Sequence, residues 1–297
     1  MQCPYCNSDK IEKRGIRRSK QRFKCRDCGR WSSLLLWTLP KQPRILLLDI
    51  ETSPMEVLVW GLYKQRIAPD NVIKEWSCLS WAAKWLCESE IMSGVVSPQE
   101  AINREDKSII NGIWRLIDEA SVIISHNGTR FDLRKLNVRF LINGLKPPHP
   151  YQQVDTYNHV KKYFAFSSYK LDYLNRILDL QRKIKTTYDL WIRCINGDNK
   201  ALKEMEKYNR YDVTALEELY LKLRPWIRSH PNLGLYYDSI ETVCPNCGSD
   251  KLQWGGYYYT PAGKYSTFRC KCGAIGRSRF TSISSDKQHK LVRTIAR

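Results

Sequence analysis

The sequence lacks an apolar run long enough to cross a membrane, which takes about 18 to 20 consecutive residues. The apolar stretch at residues 34–37 is far too short, and residues 1–3 do not begin a signal-peptide apolar region. We therefore expect a reducing cytoplasmic location. In such a compartment the eleven cysteines are expected to be metal ligands or buried thiols rather than disulfides.

Acidic residues are scarce at both ends of the chain. Residues 1–44 carry twelve Lys or Arg against three Asp or Glu, and residues 240–297 carry ten against three, so the ends supply most of the net charge of +19. Nucleic acid is the natural partner of such basic ends, because each neutralised phosphate releases condensed counterions. The alternative is a solvated surface that charge keeps soluble.

The two ends also repeat one another. CPYCNSDKI at residues 3–11 is answered by CPNCGSDKL at residues 244–252. The length of 297 residues, 42% of them apolar, permits one sizeable α/β core between two small modules. The predicted boundaries are an N-terminal module at 1–33, a linker at 34–43, a central domain at 44–228, a linker at 229–243, a C-terminal module at 244–280 and a basic tail at 281–297.

Each module contains two pairs of closely spaced cysteines, the spacing of a four-thiolate zinc ribbon. The second pair of the C-terminal module is shortened to Cys-x-Cys, so His289 is a conceivable replacement for Cys272. We predict structural Zn²⁺ in both ribbons, since four protein ligands leave no open position for water; a redox or disulfide role is the alternative. The remaining Cys78, Cys87 and Cys194 are predicted to be buried, inert thiols. The predicted zinc ligands are Cys3, Cys6, Cys25, Cys28, Cys244, Cys247, Cys270 and Cys272.

Basic and aromatic residues alternate between the cysteine pairs of both ribbons. This interleaving suits phosphate contact combined with base stacking, so we predict that the ribbons bind nucleic acid. The alternative is that the aromatic rings form the small ribbon cores. The first ribbon also resembles the zinc ribbons of bacterial transposases, which implies DNA contact. The residues concerned are Lys13, Arg14, Arg17, Arg18, Lys20, Arg22, Phe23, Lys24 and Trp31 in the first ribbon, and Trp254, Tyr257, Tyr258, Tyr259, Lys264, Tyr265, Phe268 and Arg269 in the second.

The central domain reads as a mixed β-sheet flanked by helices, an α/β fold. Its near-continuous apolar runs predict strands that are covered on both faces. Strands are predicted at 44–49, 57–63, 73–85, 90–96 and 122–124, and helices at 103–120, 131–143, 170–180 and 199–226, with a break near Tyr208 left open.

Carboxylates stand where these elements end. Asp49 and Glu51 close the first buried strand, and residues two apart on a strand point to the same side. Asp132 stands where the strand at 122–124 gives way to a helix. Tyr208 and Asp212 are four apart, which stacks them on one helix face. A pair such as Asp49 and Glu51 either binds a hard cation or is a solvated strand end.

These residues resemble three sequence motifs of a known family. The ordered motifs D-I-E-T, N-x3-F-D and Y-x3-D are similar to those of the DnaQ-like (DEDD) 3′-to-5′ exonucleases of the RNase H-like superfamily. The likeness is greatest to the proofreading domain of family B DNA polymerases. It extends to Val154-Asp155-Thr156 and to the segment SYKLDYL at residues 168–174, and covers about 185 central residues.

The resemblance implies a role for each matching residue. Asp49, Glu51, Asp132 and Asp212 would hold two Mg²⁺ or Mn²⁺ ions, and Tyr208 would orient the attacking water. Lys207 rather than His stands five before Asp212, which indicates the tyrosine subclass, with Tyr211 as the competing tyrosine. Asn127, Phe131 and Lys170 would contact substrate, with structural roles as the alternative, while Asp155 would be a supporting carboxylate and His126 a packing residue.

Three functions remain open from the sequence. The first is a 3′-to-5′ exonuclease acting on single-stranded or end-frayed DNA. The second keeps the active site but takes RNA or a branched structure as substrate, since the carboxylates meet only the phosphodiester. The third is a non-catalytic nucleic-acid-binding protein on a nuclease scaffold, which a retained acid cluster disfavours.

Overall fold

The structure of the chain is a computed structural model. The described residues form two compact units, one of residues 1–42 with 236–238 and the other of residues 43–235 with 239–297. Arg18, most of the predicted linker 34–43, and parts of the linker 229–243 and of the basic tail lie outside the described residues. The structure describes all residues except 1–2, 4, 7, 18–19, 36–42, 183, 185, 238–240, 293–294 and 296–297.

The first unit contains a three-stranded antiparallel sheet. Its strands are β1 (Ile11–Arg17), β2 (Lys20–Cys25) and β3 (Trp31–Leu35), in that order across the sheet. Phe23 is buried beside the cysteines, whereas Trp31 is exposed. Only part of the aromatic content of this ribbon therefore forms its core.

The central domain is built on a five-stranded mixed sheet in the order β10-β9-β4-β7-β8. Strand β4 lies in the middle, parallel to β9 and antiparallel to β7. Its apolar residues are almost fully buried, which fits a strand covered on both faces. The strands of the domain are β4 (Ile45–Thr52), β5 (Glu56–Val57), β6 (Val72–Lys74), β7 (Cys78–Trp85), β8 (Ile91–Val95), β9 (Val122–Ser125) and β10 (Gln152–Asp155).

Among the described residues of the domain, seven α-helices flank this sheet, so the predicted mixed sheet with flanking helices is confirmed. The longest, α7, packs against β7, β4 and α6. Asp198 starts it by accepting hydrogen bonds from the amides of Lys200 and Ala201. The helices are α1 (Pro98–Asn103), α2 (Lys107–Glu119), α3 (Asp132–Ile142), α4 (Thr156–Tyr163), α5 (Leu171–Ile177), α6 (Tyr188–Ile195) and α7 (Asn199–Leu223).

Four sequence-based expectations for the elements are corrected. Helix α7 runs without a break at Tyr208. The strand expected at 57–63 ends at Val57, and the following Trp60 is fully exposed. The helix expected at 103–120 is α2, which begins only at Lys107 because Arg104 takes a left-handed conformation. Helices α1, α4 and α6 were not predicted, since none is longer than eight residues.

The C-terminal ribbon is a second three-stranded antiparallel sheet, followed by a short helix. Its core consists of Cys244, Phe268, Cys270 and Ala274. The elements are β11 (Leu252–Thr260), β12 (Gly263–Cys270), β13 (Ile275–Arg277) and α8 (Ser285–His289). Among all described residues, no helix combines the length and the apolar character that crossing a bilayer requires.

Candidate active site

Three carboxylates meet at the end of the central strand. Asp49 and Glu51 project from one face of β4, while Ile50 between them is buried on the other. Asp212 reaches them from α7, where it is 1% exposed. One oxygen atom from each of the three lies within 4.8 Å of the other two. A group of this size is small enough for its oxygens to share a cation.

Asp132, the fourth predicted acid, lies beside this group. It is the first residue of α3 and is buried. Its Oδ1 accepts a hydrogen bond of 3.1 Å from the backbone amide of Ile50, the residue between Asp49 and Glu51. A side chain at Gly128 would start 3.6 Å from Asp132 Oδ2, so the loop before α3 approaches this carboxylate closely.

Asn209 holds the first carboxylate in place. Its Nδ2 donates to Asp49 Oδ2 at 2.6 Å, and its own Oδ1 accepts from Ser80 Oγ at 2.9 Å. Asn209 is fully buried on α7, and Ser80 stands opposite Glu51 in the pairing of β4 with β7. Sequence reasoning missed Asn209. Its position on the predicted helix between Tyr208 and Asp212 could have indicated that it lies near the acids.

The two tyrosines of α7 lie on different faces. Tyr208 is 4% exposed, and its ring packs edge-on against Trp191 with 6.1 Å between ring centroids. Tyr211 is 40% exposed, whereas its neighbour Asp212 is buried. Helical spacing thus places Tyr208 and Asp212 together on the buried side, and the orienting role of Tyr208 stays a prediction.

Asp155 organises the loop that leads from β9 to α3. Its Oδ1 accepts from the amide of Asn127 at 3.0 Å, and its Oδ2 accepts from the amide of Thr129 at 3.1 Å. Asn127 takes a left-handed conformation with φ of 72°, which Asn tolerates better than most residues. His126 uses both ring nitrogens, towards Thr156 Oγ1 and the carbonyl oxygen of Tyr169. Asp155 and His126 therefore shape the site without entering the acid group.

A lysine that sequence reasoning missed lies at the same edge. Lys135, one turn into α3, donates to Thr52 Oγ1 at 3.0 Å. Its ammonium lies 3.9 Å from the ring centroid of Trp76 and 5.0 Å from that of Phe131. Burial lowers the pKa of Lys135 from its usual value. The predicted Lys170 is exposed at the start of α5.

A cavity of 570 Å³ opens next to the acids. Thr52, which directly follows the acidic pair on β4, and Lys135 both line it. Its walls combine aromatic rings with hydroxyl groups, a lining that suits a base and its sugar. The lining residues are Thr52, Ser53, Pro54, Met55, Trp76, Lys135, Thr186, Thr187, Tyr188 and Trp191.

The donor set of the acidic group fits hard cations. Mg²⁺ and Mn²⁺ prefer carboxylate oxygens, and a buried cluster of negative charges needs a compensating cation. Asp49, Glu51 and Asp212 could hold an ion, whereas Asp132 lies outside this group of three. The identity of any ion remains a prediction.

The sulfur atoms of each ribbon gather in a group of four, all within 4.8 Å of one another. Across each group the facing sulfurs are 3.6 to 3.7 Å apart, close to the spacing of about 3.8 Å that a tetrahedral zinc site with Zn–S bonds of about 2.3 Å requires. A hydrogen bond from the amide of Cys28 lowers the pKa of Cys25 to about 6. Cys272 completes the C-terminal group, whereas His289 lies exposed on α8.

The other three cysteines differ from one another. Cys78 and Cys194 are fully buried, and desolvation raises the pKa of both thiols, that of Cys194 to about 12. Cys87 is exposed, so the expectation that it is buried was wrong. It lies in the turn after β7 with φ of 66°, and a turn at the end of a strand carries its side chain out of the core.

Exposure separates the two interpretations of the ribbon aromatics. Phe23 and Phe268 are buried core residues. Trp254 and the consecutive Tyr257, Tyr258 and Tyr259 are between 48% and 65% exposed. The core interpretation therefore holds for the phenylalanines, and the exposed rings are available for contact with a partner.

Comparisons with known proteins add three findings. A family model described as RNase_H superfamily matches residues 91–224. No curated protein matches the chain. Among solved structures, the chain is similar to the family B DNA polymerase from the hyperthermophilic archaeon Pyrobaculum calidifontis, at 17% identity and a TM-score of 0.46 over 66% of this chain. The match spans 26% of the polymerase, about a quarter of its length.

Proposed function

We propose that this chain, whose central domain has an RNase H-like fold, is a two-metal-ion nuclease that trims single-stranded or end-frayed DNA from its 3′ end. The observation that carries the proposal is the group of Asp49, Glu51 and Asp212 within 4.8 Å, with Asp132 bonded to the same strand. The superfamily match supports nuclease activity in general terms. The 3′-to-5′ polarity and the preference for DNA rest on the resemblance of the sequence motifs.

Asp49, Glu51, Asp132 and Asp212 would hold two Mg²⁺ or Mn²⁺ ions. When bound, such a pair of ions activates a water molecule and stabilises the leaving oxygen of an in-line displacement. Asn209 restricts Asp49 to one orientation, because its amide is itself fixed by Ser80. The acids are therefore positioned by the core before any ion arrives, which lowers the cost of assembling the site.

In the proposed reaction a water oxygen bonds to the phosphorus of the terminal phosphodiester. The bond from phosphorus to the 3′ oxygen of the preceding nucleotide breaks, and that oxygen takes up a proton. The products are a nucleoside 5′-monophosphate and a strand shorter by one nucleotide. The proposed role of Tyr208 is to orient the water by a hydrogen bond from the same buried side of α7 as Asp212.

Positive charge and aromatic surface beside the acids suit the substrate. Lys135 carries its charge within hydrogen-bond distance of Thr52, next to the acidic strand end. Phe131 is 37% exposed above the same lysine, so its ring is available to stack on a base. We assign the 570 Å³ cavity to the terminal nucleotide, with Asn127 and Lys170 as further contacts expected from the family motifs.

The decisive experiment uses 5′-labelled single-stranded DNA with the purified chain in Mg²⁺ or Mn²⁺, and then in EDTA. We expect a metal-dependent ladder of products that shortens from the 3′ end. Asp49→Asn should abolish the ladder. Asp70→Asn, which removes an exposed acid that does not belong to the acidic group, is the matched control and should leave it intact.

Parallel reactions with single-stranded RNA and a forked duplex decide the substrate. Cleavage of RNA or of the fork, without cleavage of the DNA strand, would keep the active site and replace the substrate. Absence of cleavage on all three would sink the nuclease proposal and favour a binding protein. A ladder unchanged by Asp49→Asn would show that other residues carry out the reaction.

A further inference from the structure

The C-terminal ribbon is anchored to the end of α7. Asn246, in the first cysteine pair, donates from Nδ2 to the carbonyl oxygen of Arg224 at 2.9 Å. The amide of Leu233 donates to the carbonyl oxygen of Pro245 at 2.7 Å. At Gly273, beside the second cysteine pair, a side chain would start 2.9 Å from Pro225. Both cysteine pairs therefore contact the segment that follows α7.

This anchoring leaves a cleft between the ribbon and the catalytic domain. The cleft has a volume of 470 Å³ and is lined by Arg228, Tyr258, Thr267, Ile275, Gly276 and Arg277. Arg277 is held by the rings of the ribbon, with its guanidinium 3.9 Å from the centroid of Tyr265 and 5.5 Å from that of Tyr258. Arg228, which follows α7, lines the same cleft.

The charge of the cleft is not balanced locally. None of its lining residues is acidic. Within the part of the chain that the structure describes, neither Arg228 nor Arg277 forms an ion pair with a carboxylate. Two arginines without acidic partners beside an exposed tyrosine are suited to a phosphate and a base.

A second cavity of 290 Å³ lies beside this cleft. Its lining includes Lys162, Tyr163 and Asp155, and it extends to Thr129 in the loop that precedes Asp132. Arg228 is next to both cavities, since it lines the first and its guanidinium is 5.4 Å from the ring of Tyr163 in the second. The Asp155 carboxylate accepts hydrogen bonds from backbone amides of the loop, and Lys162 and Tyr163 add a further positive charge and ring beside Arg228.

We propose that the Arg228–Tyr258–Arg277 cleft binds the single-stranded nucleic acid several nucleotides away from the end that is being cut. This inference rests on the proposed nuclease function for the direction of the strand. The two guanidinium groups hold backbone phosphate, and Tyr258 stacks on a base. A single strand is favoured over a duplex because stacking needs an unpaired base face. The ribbon would then be a fixed part of the substrate track.

A binding measurement on a variant that is expected not to cleave tests this inference separately from catalysis. The full chain carrying Asp49→Asn is titrated into fluorescein-labelled oligothymidylates of about 5 and about 20 nucleotides, and the dissociation constant is followed by anisotropy at several salt concentrations. Added Tyr258→Ala should weaken binding of the longer strand roughly 5- to 150-fold, the range for loss of one stacked base. Added Arg228→Ala should weaken it roughly 10- to 150-fold, the range for loss of a hydrogen bond between charged groups. Arg228→Ala together with Arg277→Ala should also reduce the salt slope by about 1.4, at about 0.7 for each phosphate.

Two matched controls lie outside the cleft. Arg279→Ala removes the same charge from the same ribbon, and Phe280→Ala removes an exposed ring of that ribbon which does not line the cleft. Both should bind the longer strand within about twofold of the parent. Zinc content and melting temperature establish that each variant is folded, and Arg228→Gln replaces Arg228→Ala if the alanine variant is not.

Each possible result either supports or overturns the proposed role of the cleft. Selective weakening of the longer strand by the cleft variants supports the inference, and it does so even if the parent chain proves unable to cleave. Equal weakening by cleft and control variants, equal loss on both oligonucleotide lengths, or tighter binding of a duplex of the same sequence would overturn the inference. If the parent chain cleaves DNA but every cleft variant binds the longer strand as tightly as the parent, the inference is overturned while the proposed nuclease function stands.

Discussion

The acidic group and the two sulfur groups differ in what holds their candidate metal ligands in place. Asp49, Glu51 and Asp212 come from two elements of a large core, and Asn209 fixes the first of them. The ribbon sulfurs come from short turns, and the core of the C-terminal ribbon contains only two residues that are not cysteine. In the central domain the fold positions the ligands. In the ribbons we expect the ion to create the fold, as is usual for such small modules.

The difference predicts which parts of the chain depend on metal. Residues from β4, β7, α3 and α7 keep their places through apolar burial and hydrogen bonds. The ribbons have few apolar residues to bury and are expected to open when their ion is removed. The following predictions test this contrast, from the largest expected effect to the smallest.

Removal of zinc by a tight chelator should have the largest effect. Structural zinc contributes roughly 10 to 16 kcal/mol to the folding of small modules, so amide protection in β1, β2, β11 and β12 should vanish. Amides of β4 and β9 should stay protected. Hydrogen exchange before chelation, after it, and after zinc is restored measures both. Retained protection in the ribbons, or its loss in β4, would contradict the contrast.

Asp49→Asn should reduce cleavage by a factor of about 10³ or more, equivalent to about 4 kcal/mol of lost transition-state stabilisation. The fold should persist, and in EDTA the melting temperature should stay the same or rise, because one of several neighbouring negative charges is removed. Initial rates and thermal melts of this variant are compared with those of Asp70→Asn. A large drop in melting temperature would mean that the acid stabilises the fold rather than an ion.

Asn209→Ala should have an intermediate effect. Loss of a group that orients a metal ligand typically lowers metal affinity or activity 10- to 100-fold. The variant should therefore need more Mg²⁺ for half-maximal rate, and excess Mg²⁺ should restore part of the activity. Asn199→Ala, at the exposed start of α7, is the control. An unchanged Mg²⁺ requirement would show that Asp49 does not depend on Asn209.

Lys135→Met should have the smallest effect, about tenfold on cleavage, since one phosphate contact is lost. The free energy of unfolding, in contrast, should stay the same or increase in this variant at neutral pH. Burial lowers the pKa of Lys135 below 10.5, so the unfolded chain binds this proton more tightly than the folded one. Lys135 therefore opposes folding at neutral pH, and this penalty is relieved as the pH rises through the folded pKa towards 10.5.

Denaturant unfolding at pH 7 and at pH 10 measures whether Lys135 lowers or raises the free energy of unfolding. The Met variant should be at least as stable as the parent at pH 7, and the difference should shrink at pH 10. Lys107→Met, at the exposed start of α2, should show no such trend. A variant that is clearly less stable at pH 7 would mean that the contacts of Lys135 with Trp76 and Thr52 outweigh its desolvation.

Sequence reasoning was most successful where chemistry and spacing coincide. The closely spaced cysteine pairs correctly predicted the two sulfur groups. The apolar run that ends in Asp49-Ile50-Glu51 correctly predicted a buried strand with two acids on one face. It was weakest for short elements. Helices α4 and α6 bury only a few residues each, so their pattern is hard to separate from that of a loop. Cys87 was misplaced because its exposure depends on a left-handed turn.

The sequence by itself determined which residues are able to bind metal, because ligand type and local spacing are properties of short segments. It also determined the α/β class, through apolar runs that only a covered strand tolerates. Tertiary structure decided which distant residues meet. Asn209 and Ser80 are 129 positions apart, Lys135 reaches Thr52 across 83 positions, and Arg228 and Arg277 line one cleft. Such meetings depend on how sheet, helix and ribbon pack, which local patterns do not encode.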